Sequence, residues 1–531
     1  MHQIKIQGSE DNAMKKYILA LDEGTTGVRA ILFNKEGQPV GDVAKEFTQI
    51  FPQPGWIEHN AEEILEAQID VARRAIAKAK ISPDEIAAIG ITNQRETAVV
   101  WDKNTGKPIY NAIVWGSRQT ADIVEQWKAA GMDNEIREKT GLINDAYFSA
   151  SKIVWILDHV EGARERAERG ELLFGNIDTW LIWNLTGHKS HVTDYSNASR
   201  TMAFNILDLQ WDKELCRKMK IPMAVLPKAL PSSGEFGKTD PAVLGAIIPI
   251  LGDAGDQQAA LFGQACFKPG MAKNTFGTAG VFVMNIGDKP YFREGLTTTI
   301  AWGLNGKVSY ALEGVIFVSG ATVQWIRDNM RFVRNSADTE WYGNMVPDTG
   351  GVYLVPAFSG LCAPYWDMYA RGVIIGITRG TTSDHLIRAA LEAMAYQTKD
   401  IIDTVEKDGT LHIPELRVDG GATKNNLLCQ FQSNILGIPV VRPKITEMTA
   451  LGAAYLAGLG CGFWKSTEEI AEHWGIDKVF EPAMSEARRN ELYGGWQEAV
   501  KLTRGWVTKV DKYHVEEAST EKAAEAELAT V

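Results

Sequence analysis

The apolar positions of the first hundred residues change period twice. "YILALD" (17–22) and "VRAILFN" (28–34) are near-continuous apolar runs of strand length, separated by the glycine turn "EGTTG" and followed by the turn "KEGQ". That spacing predicts a β-hairpin leading into a meander. "HNAEEILEAQIDVARRAIAKAK" (59–80) switches to a helical period. Ile64, Leu65, Val71, Ala72 and Ile76 fall roughly on one face, and Asn60 with Glu63 resembles a capping box. "IAAIGIT" (86–92) returns to a buried strand. The same grammar restarts halfway: "GMAKNTFGTAGVFVMNIGDKP" reads as strand, Gly-Thr-Gly turn, strand; "GKVSYALEGVIF" continues a sheet; "LRVDGGATKNNLLCQFQSNIL" reads as strand, double-glycine turn, helix.

This repetition predicts two α/β halves divided near "FGQACFKPG" (262–270), over 14–265 and 266–510, with phosphates gripped between them from both sides. Residues 1–13 form an extra polar lead, with Met14 as a second possible start, and the Ala/Glu-rich tail (511–531) predicts a frayed helix or disorder. At 531 residues the chain is long enough for two full cores. A net charge of −12 argues against a broad nucleic-acid or acidic-lipid footprint, so any anion must be bound locally. The start is polar without an apolar leader, and "MTALGAAYLAGLGCGFW" (448–464) is too short and glycine-broken to cross a membrane. Five scattered cysteines without a C-x-x-C suit reduced thiols in a cytoplasm.

Five stretches carry chemistry. In "DEGTTGVR", glycines bring backbone N–H groups to phosphate oxygens, Thr25 and Thr26 add hydroxyls, Arg29 adds charge, and Asp22 suits Mg²⁺. An ordinary glycine hairpin is the alternative. In "GDAGDQQAALFG" (252–263), Asp256 is either a helix N-cap or a carboxylate accepting a hydroxyl proton. "TFGTAG" (275–280) is a second donor-rich turn, and in "VDGGATKNN" (418–426) the glycines let backbone approach a nucleoside. In "GITNQRETAVVW" (90–101), Arg95 and Glu96 end an apolar strand, an expensive place for charge unless it is paired or working. Both reach one pocket only if the strand bends or ends there. Three decoys fail on spacing or context: "GEFGKT" is too short for a P-loop, "HKSH" lacks a third metal ligand, and "GLGCG" follows a helix.

Together with "AAIGITNQRET", "YNAIVW", "WILDHVEGARERAERGELLFGNIDTWLIW", "VTDYSNASRTM" and "TALGAAYLAGL", these strings resemble the FGGY carbohydrate kinases, and among them the members that phosphorylate glycerol. The resemblance runs from about Lys15 to about Arg504. It implies an α/β fold of two actin-like (ribonuclease H-like) domains around a central cleft, and ATP-dependent formation of sn-glycerol 3-phosphate by in-line transfer. It further implies that Arg95, Glu96, Tyr147, Asp256 and Gln257 bind the polyol, with Trp115 on its carbon chain and Asp256 as general base. Asp22 would hold magnesium. Thr25, Thr26, Arg29 and Thr278 would hold phosphates, and Gly320, Gln324, Gly421 and Asn425 the nucleotide. Family members are often dimers or tetramers.

Departures from the family pattern are equally specific. Glu23 stands in place of Gln, placing negative charge beside the phosphates. Gly116 and Ser117 replace bulkier residues, and Val281 replaces Phe, which predicts a wider polyol pocket. Ile247 occupies the place of an effector-binding Arg, predicting no inhibition by fructose 1,6-bisphosphate. A kinase for a larger polyol, or a weakly catalytic nucleotide-gated paralogue, are the alternatives.

Overall fold

The structure is a computed structural model and describes residues 15–508; the polar lead and the acidic tail lie outside the described residues. The predicted hairpin is present. Strands β1 (Tyr17–Glu23), β2 (Gly27–Phe33) and β3 (Pro39–Glu46) form the antiparallel meander, followed by helix α1 (Ala61–Ala79) and strand β4 (Ile86–Asn93). Strands β5 (Ser233–Lys238) and β6 (Pro249–Gly255) complete a six-stranded sheet of order β5-β6-β4-β1-β2-β3, in which β1, β4 and β6 run parallel. Every residue of β4 is buried, which explains its unbroken apolar run: a strand covered on both faces does not alternate.

Asn60 caps α1 as expected, its Oδ1 accepting from the N–H groups of Glu62 and Glu63. The capping box does not close. Glu63 instead accepts from the N–H and Oγ1 of Thr48, tying the helix start to the loop after β3. Helix α2 (Ser149–His159) and helix α3 (Asp256–Gly263) follow, α3 starting directly where β6 ends.

The second half repeats the plan. Strands β7 (Ala272–Phe276), β8 (Gly280–Gly287), β9 (Thr297–Leu304) and β10 (Lys307–Ile316) are antiparallel neighbours. Helices α4 (Gly320–Asp328) and α5 (Ser383–Glu406) precede β11 (Leu416–Asp419), helix α6 (Asn426–Leu436), β12 (Val440–Pro443), helix α7 (Met448–Gly460) and β13 (Ile476–Phe480). The seven-stranded order is β9-β10-β8-β7-β11-β12-β13, with β7, β11 and β12 parallel. The first sheet has three antiparallel meander strands and the second has four antiparallel strands, in each case with parallel strands beside the first, the arrangement of two actin-like domains.

Helix α7 explains the long uncharged tract. It belongs by sequence to the second half but packs on β1, β4 and β6 of the first sheet and on α3. Its residues from Met448 to Gly458 are nearly all buried, so it is apolar all round because it is wedged between layers. Among the described residues no helix is long and apolar enough to cross a membrane.

Candidate active site

The site grows from the carboxyl ends of the parallel strands, where open α/β sheets bind ligands. Register alignment sets Asp22 of β1 beside Thr92 of β4, and Thr92 beside Ala254 of β6. Four residues beyond β6's Gly252, Asp256 is the first residue of α3, and Gly255 occupies the cap position. That removes the simple N-cap explanation for Asp256. Its Oδ1 accepts from the Gln257 N–H at 2.8 Å and its Oδ2 from Gln257 Nε2 at 2.9 Å. Arg95 Nε lies 3.0 Å from Oδ1.

Arg95 and Glu96 come to the same side because the strand ends at Asn93 and Glu96 takes φ +61°, a left-handed conformation costly for a residue with a side chain, and their charged groups lie 3.9 Å apart. Two residues that sequence reasoning passed over complete the arrangement. Arg200 Nε donates to Glu96 at 2.6 Å, its Nη2 lies 2.6 Å from Glu313, and Glu313 also accepts from Arg95. The four side chains, two cations and two carboxylates, are fully buried. Burial works to raise the Glu313 carboxyl, but Arg200 and Arg95 outweigh it and hold it below its usual range. For Glu96 burial wins and the carboxyl sits above its ordinary value.

Aromatic rings wall the pocket. Trp115 and Tyr147 lie 5.5 Å apart, and Trp115 Nε1 donates to Thr25 Oγ1 at 3.0 Å, joining these rings to the β1–β2 hairpin turn. Tyr147 is held from beneath by Lys152 of α2. This fully buried lysine donates to the carbonyls of Ala146, Tyr147 and Phe148 at 2.6, 2.7 and 3.0 Å, and burial pushes its pKa down to about 7. A cavity of about 1240 Å³ opens from Trp115, Gly116 and Tyr147 toward Phe317 and Phe358. Gly116 lines this cavity. Val281 does not: it is 7% exposed and packs in the core cluster with Val283, Val315 and Ala259.

The phosphate side shows two further departures. Arg29, expected on phosphates, has its whole fork engaged: Nε and Nη2 donate to Asp42 at 2.8 and 2.6 Å, and Nη1 to Glu447 before α7. A phosphate there has to compete with both carboxylates. Glu23 is buried rather than exposed at the hairpin mouth. Alternation turns it away from Asp22, and burial, with Asp178 and Asp22 adding to it, raises its carboxyl well above the usual range. Asp22 itself is pushed up to about 7, by burial first and then by Asp256.

Across the cleft, Thr278 is exposed at the β7–β8 turn, and its carbonyl accepts from the N–H groups of Ser319 and Ala321 at 3.0 and 3.1 Å. Gly320 opens α4, where an added Cβ would sit 2.5 Å from the Gly277 carbonyl oxygen, so only glycine lets the two loops touch. Gln324 lies one turn on and is exposed. Gly420 adopts φ +89° against the Phe276 carbonyl, which leaves Gly421 facing open space. Asn425 caps α6, its Oδ1 accepting from the Leu428 N–H at 3.0 Å and its Nδ2 donating to Thr339. The residues expected on the nucleotide therefore cluster at the loops following β7, β10 and β11. The "HKSH" histidines are structural: His188 stacks on Trp183, His191 bonds the Phe174 carbonyl, and no candidate metal cluster occurs among the described residues.

Two actin-like domains facing each other, with a donor-rich turn in each and a carboxylate–arginine pair in the cleft, define the class of two-domain actin-like kinases. Family models agree: residues 17–263 match the N-terminal domain, and residues 272–461 the C-terminal domain, of the FGGY family of carbohydrate kinases. The chain belongs to that family. It is 61% identical over 494 residues to a glycerol kinase of Caldanaerobacter subterraneus subsp. tengcongensis, covering 93% of this chain and 99% of the relative. It is likewise 61% identical over 492 residues to glycerol kinase 2 of Thermotoga maritima, covering 92% and 99%. The crystal structure of Plasmodium falciparum glycerol kinase with ADP superposes with a TM-score of 0.85 at 38% identity, over 92% of this chain and 98% of that one.

Proposed function

We propose that this chain transfers the γ-phosphoryl group of ATP to a terminal hydroxyl of glycerol, with Asp256 as general base. The observation that carries the reading is the Asp256 carboxylate at the start of α3, 3.0 Å from Arg95 of the buried cluster, whose Arg200 guanidinium lies 6.0 Å from the Tyr147 ring. Arg95 and Glu96 offer a donor and an acceptor to adjacent hydroxyls, and Gln257 orients Asp256 by bonding both its oxygens. The substrate hydroxyl gives its proton to Asp256 as its oxygen attacks the γ-phosphorus, and ADP departs on the opposite side. The backbone donors and hydroxyls of the two facing turns are placed to offset charge on the transferring group.

Asp22 fits the magnesium role: it is a part-buried carboxylate near Asp256 whose nearby cation, Arg29, is shared with Asp42 and Glu447. Bound there with ATP, magnesium would neutralise phosphate charge, and Asp22 is the residue that would hold it. Support for glycerol itself comes from the relatives of that name and from burial of Val281, which leaves Gly116 as the substitution that enlarges the pocket. The test is ADP release with MgATP across glycerol, erythritol, threitol, dihydroxyacetone, xylitol and xylulose. Glycerol is expected to give the highest kcat/KM. A clear win for a longer polyol assigns the cavity beside Gly116 to extra carbons, and no stimulation by any of them refutes the kinase reading.

A further inference from the structure

Lys273 lies on β7, in the second domain, and is fully buried. Its ammonium has three donors and three acceptors: Gln257 Oε1, Thr275 Oγ1 at 2.8 Å and the Val281 carbonyl at 3.3 Å. Lys273 and Thr275 point to the same face by strand alternation, and Thr275 pairs in register with Val281 of β8. One side chain therefore ties both strands of the hairpin whose turn carries Thr278 to the first residues of α3. Gln257 completes the connection. With its Oε1 held by Lys273, its amide nitrogen is obliged to face Asp256 Oδ2, where it donates at 2.9 Å.

We propose that Lys273 is a positioning residue for phosphoryl transfer, which fixes the Gln257 amide and through it the Asp256 carboxylate, and couples them to the phosphate-facing turn of the second domain. The assignment rests on the reading of Asp256 as the base. Burying an ammonium is costly, and in a merely structural position an apolar side chain would pack the same space at less expense. The charged groups around Lys273 are Asp256 from α3, Asp419 from β11, Glu313 from β10 and Arg95 after β4. The three carboxylates favour its charged form, while burial opposes it and brings its pKa down to about 8. Removing the ammonium changes the charge balance among these carboxylates, Asp256 included.

Two substitutions separate hydrogen bonding from charge. Lys273→Met removes both, and Lys273→Gln keeps an N–H donor for Gln257 without the charge. The full chain is assayed for kcat/KM toward glycerol from pH 5 to 9, with ATP affinity measured separately by nucleotide titration. Lys273→Met is expected to lose roughly 10- to 100-fold in kcat/KM and to move the acid limb of the profile upward by about half a unit or more. Lys273→Gln is expected to recover part of the rate and none of the limb shift. ATP affinity should change by less than about threefold in both, because Lys273 touches no nucleotide-side residue except through the hairpin.

A rate loss that is uniform across pH with the limb in place overturns the assignment, and so does a wild-type profile in Lys273→Gln. If Lys273→Met yields no folded protein, Lys273→Gln alone decides, since its limb either moves or stays. A wild-type chain without glycerol-dependent turnover refutes the functional reading instead, so the two failures are told apart.

Discussion

Replacing Arg200 by methionine is the perturbation whose size follows most directly from the structure. Arg200 is fully buried, and its removal leaves Glu96 and Glu313 with Arg95 as the only cation inside the cluster. Methionine fills the stem's volume, so the main effect is electrostatic rather than a cavity. One of the two carboxylates then has to take up a proton to stay buried. Protonating a glutamate of ordinary pKa costs about 3.7 kcal/mol at pH 7 and about 1.6 kcal/mol at pH 5.5, at 1.36 kcal/mol per pH unit. The larger figure matches the range of roughly 3–5 kcal/mol seen when one partner of a buried pair is removed. In the variant the carboxyl's folded pKa is raised above its unfolded value, so the folded state holds more protons. Its stability is therefore greater at low pH and falls as pH rises from about 4.3 toward the raised value.

The assay is urea or thermal unfolding of wild type and Arg200→Met at pH 5.5 and 7. The loss should be about 2 kcal/mol larger at pH 7. The double change Arg200→Met with Glu96→Gln restores charge balance and should recover more than half of the pH 7 loss. A loss under about 1 kcal/mol at both pH values, or strict additivity of the two changes, would refute the reasoning.

Four further outcomes are expected. Gly320→Ala drives a Cβ to 2.5 Å from the Gly277 oxygen and should raise the KM for ATP by about tenfold while leaving glycerol affinity near wild type, as initial rates over a matrix of both substrates will show. Lys152→Met withdraws the donors to three consecutive carbonyls behind Tyr147, so the KM for glycerol should rise more than the KM for ATP. In the wild type, Lys152 loses its third donor as pH passes its value of about 7, so the KM for glycerol should climb above that pH, and a flat profile there would remove Lys152 from the pocket's support. Val281→Phe inserts a ring into a packed cluster and should lower stability by about 1–3 kcal/mol without tightening glycerol binding, measured by unfolding and by KM.

Much of the fold was readable because its strands announce themselves. β1, β2 and β4 are buried apolar runs punctuated by glycine turns, and the repeat of that pattern from Gly270 foretold the second domain. Arg95 and Glu96 stood out because charge at the end of an apolar strand needs a partner or a task. Glu313, in the middle of "SYALEGVIF", carries the same signal and could have been found by the same argument. Arg200 and Lys273 gave no such cue, since their roles depend on which strands the topology brings together. Periodicity is local, whereas Arg29's engagement by Asp42 and Glu447 joins residues 418 positions apart. Glu23's burial was hidden for a different reason: composition counts it as a charge, while alternation along β1 buries it, and burial raises its carboxyl well above the usual range. Helix α7's assignment to the first sheet likewise follows from packing that no single segment specifies.

The most direct measurement is turnover by Asp256→Asn with MgATP and glycerol, alongside titration of ATP binding. The amide keeps the shape and can still bond Gln257, yet it accepts no proton. The account predicts ATP affinity within about threefold of wild type and a kcat lower by roughly 10²- to 10⁴-fold. Turnover close to wild type would contradict it, because the proton of the attacking hydroxyl would then have another acceptor and Asp256 would be a structural partner of Arg95.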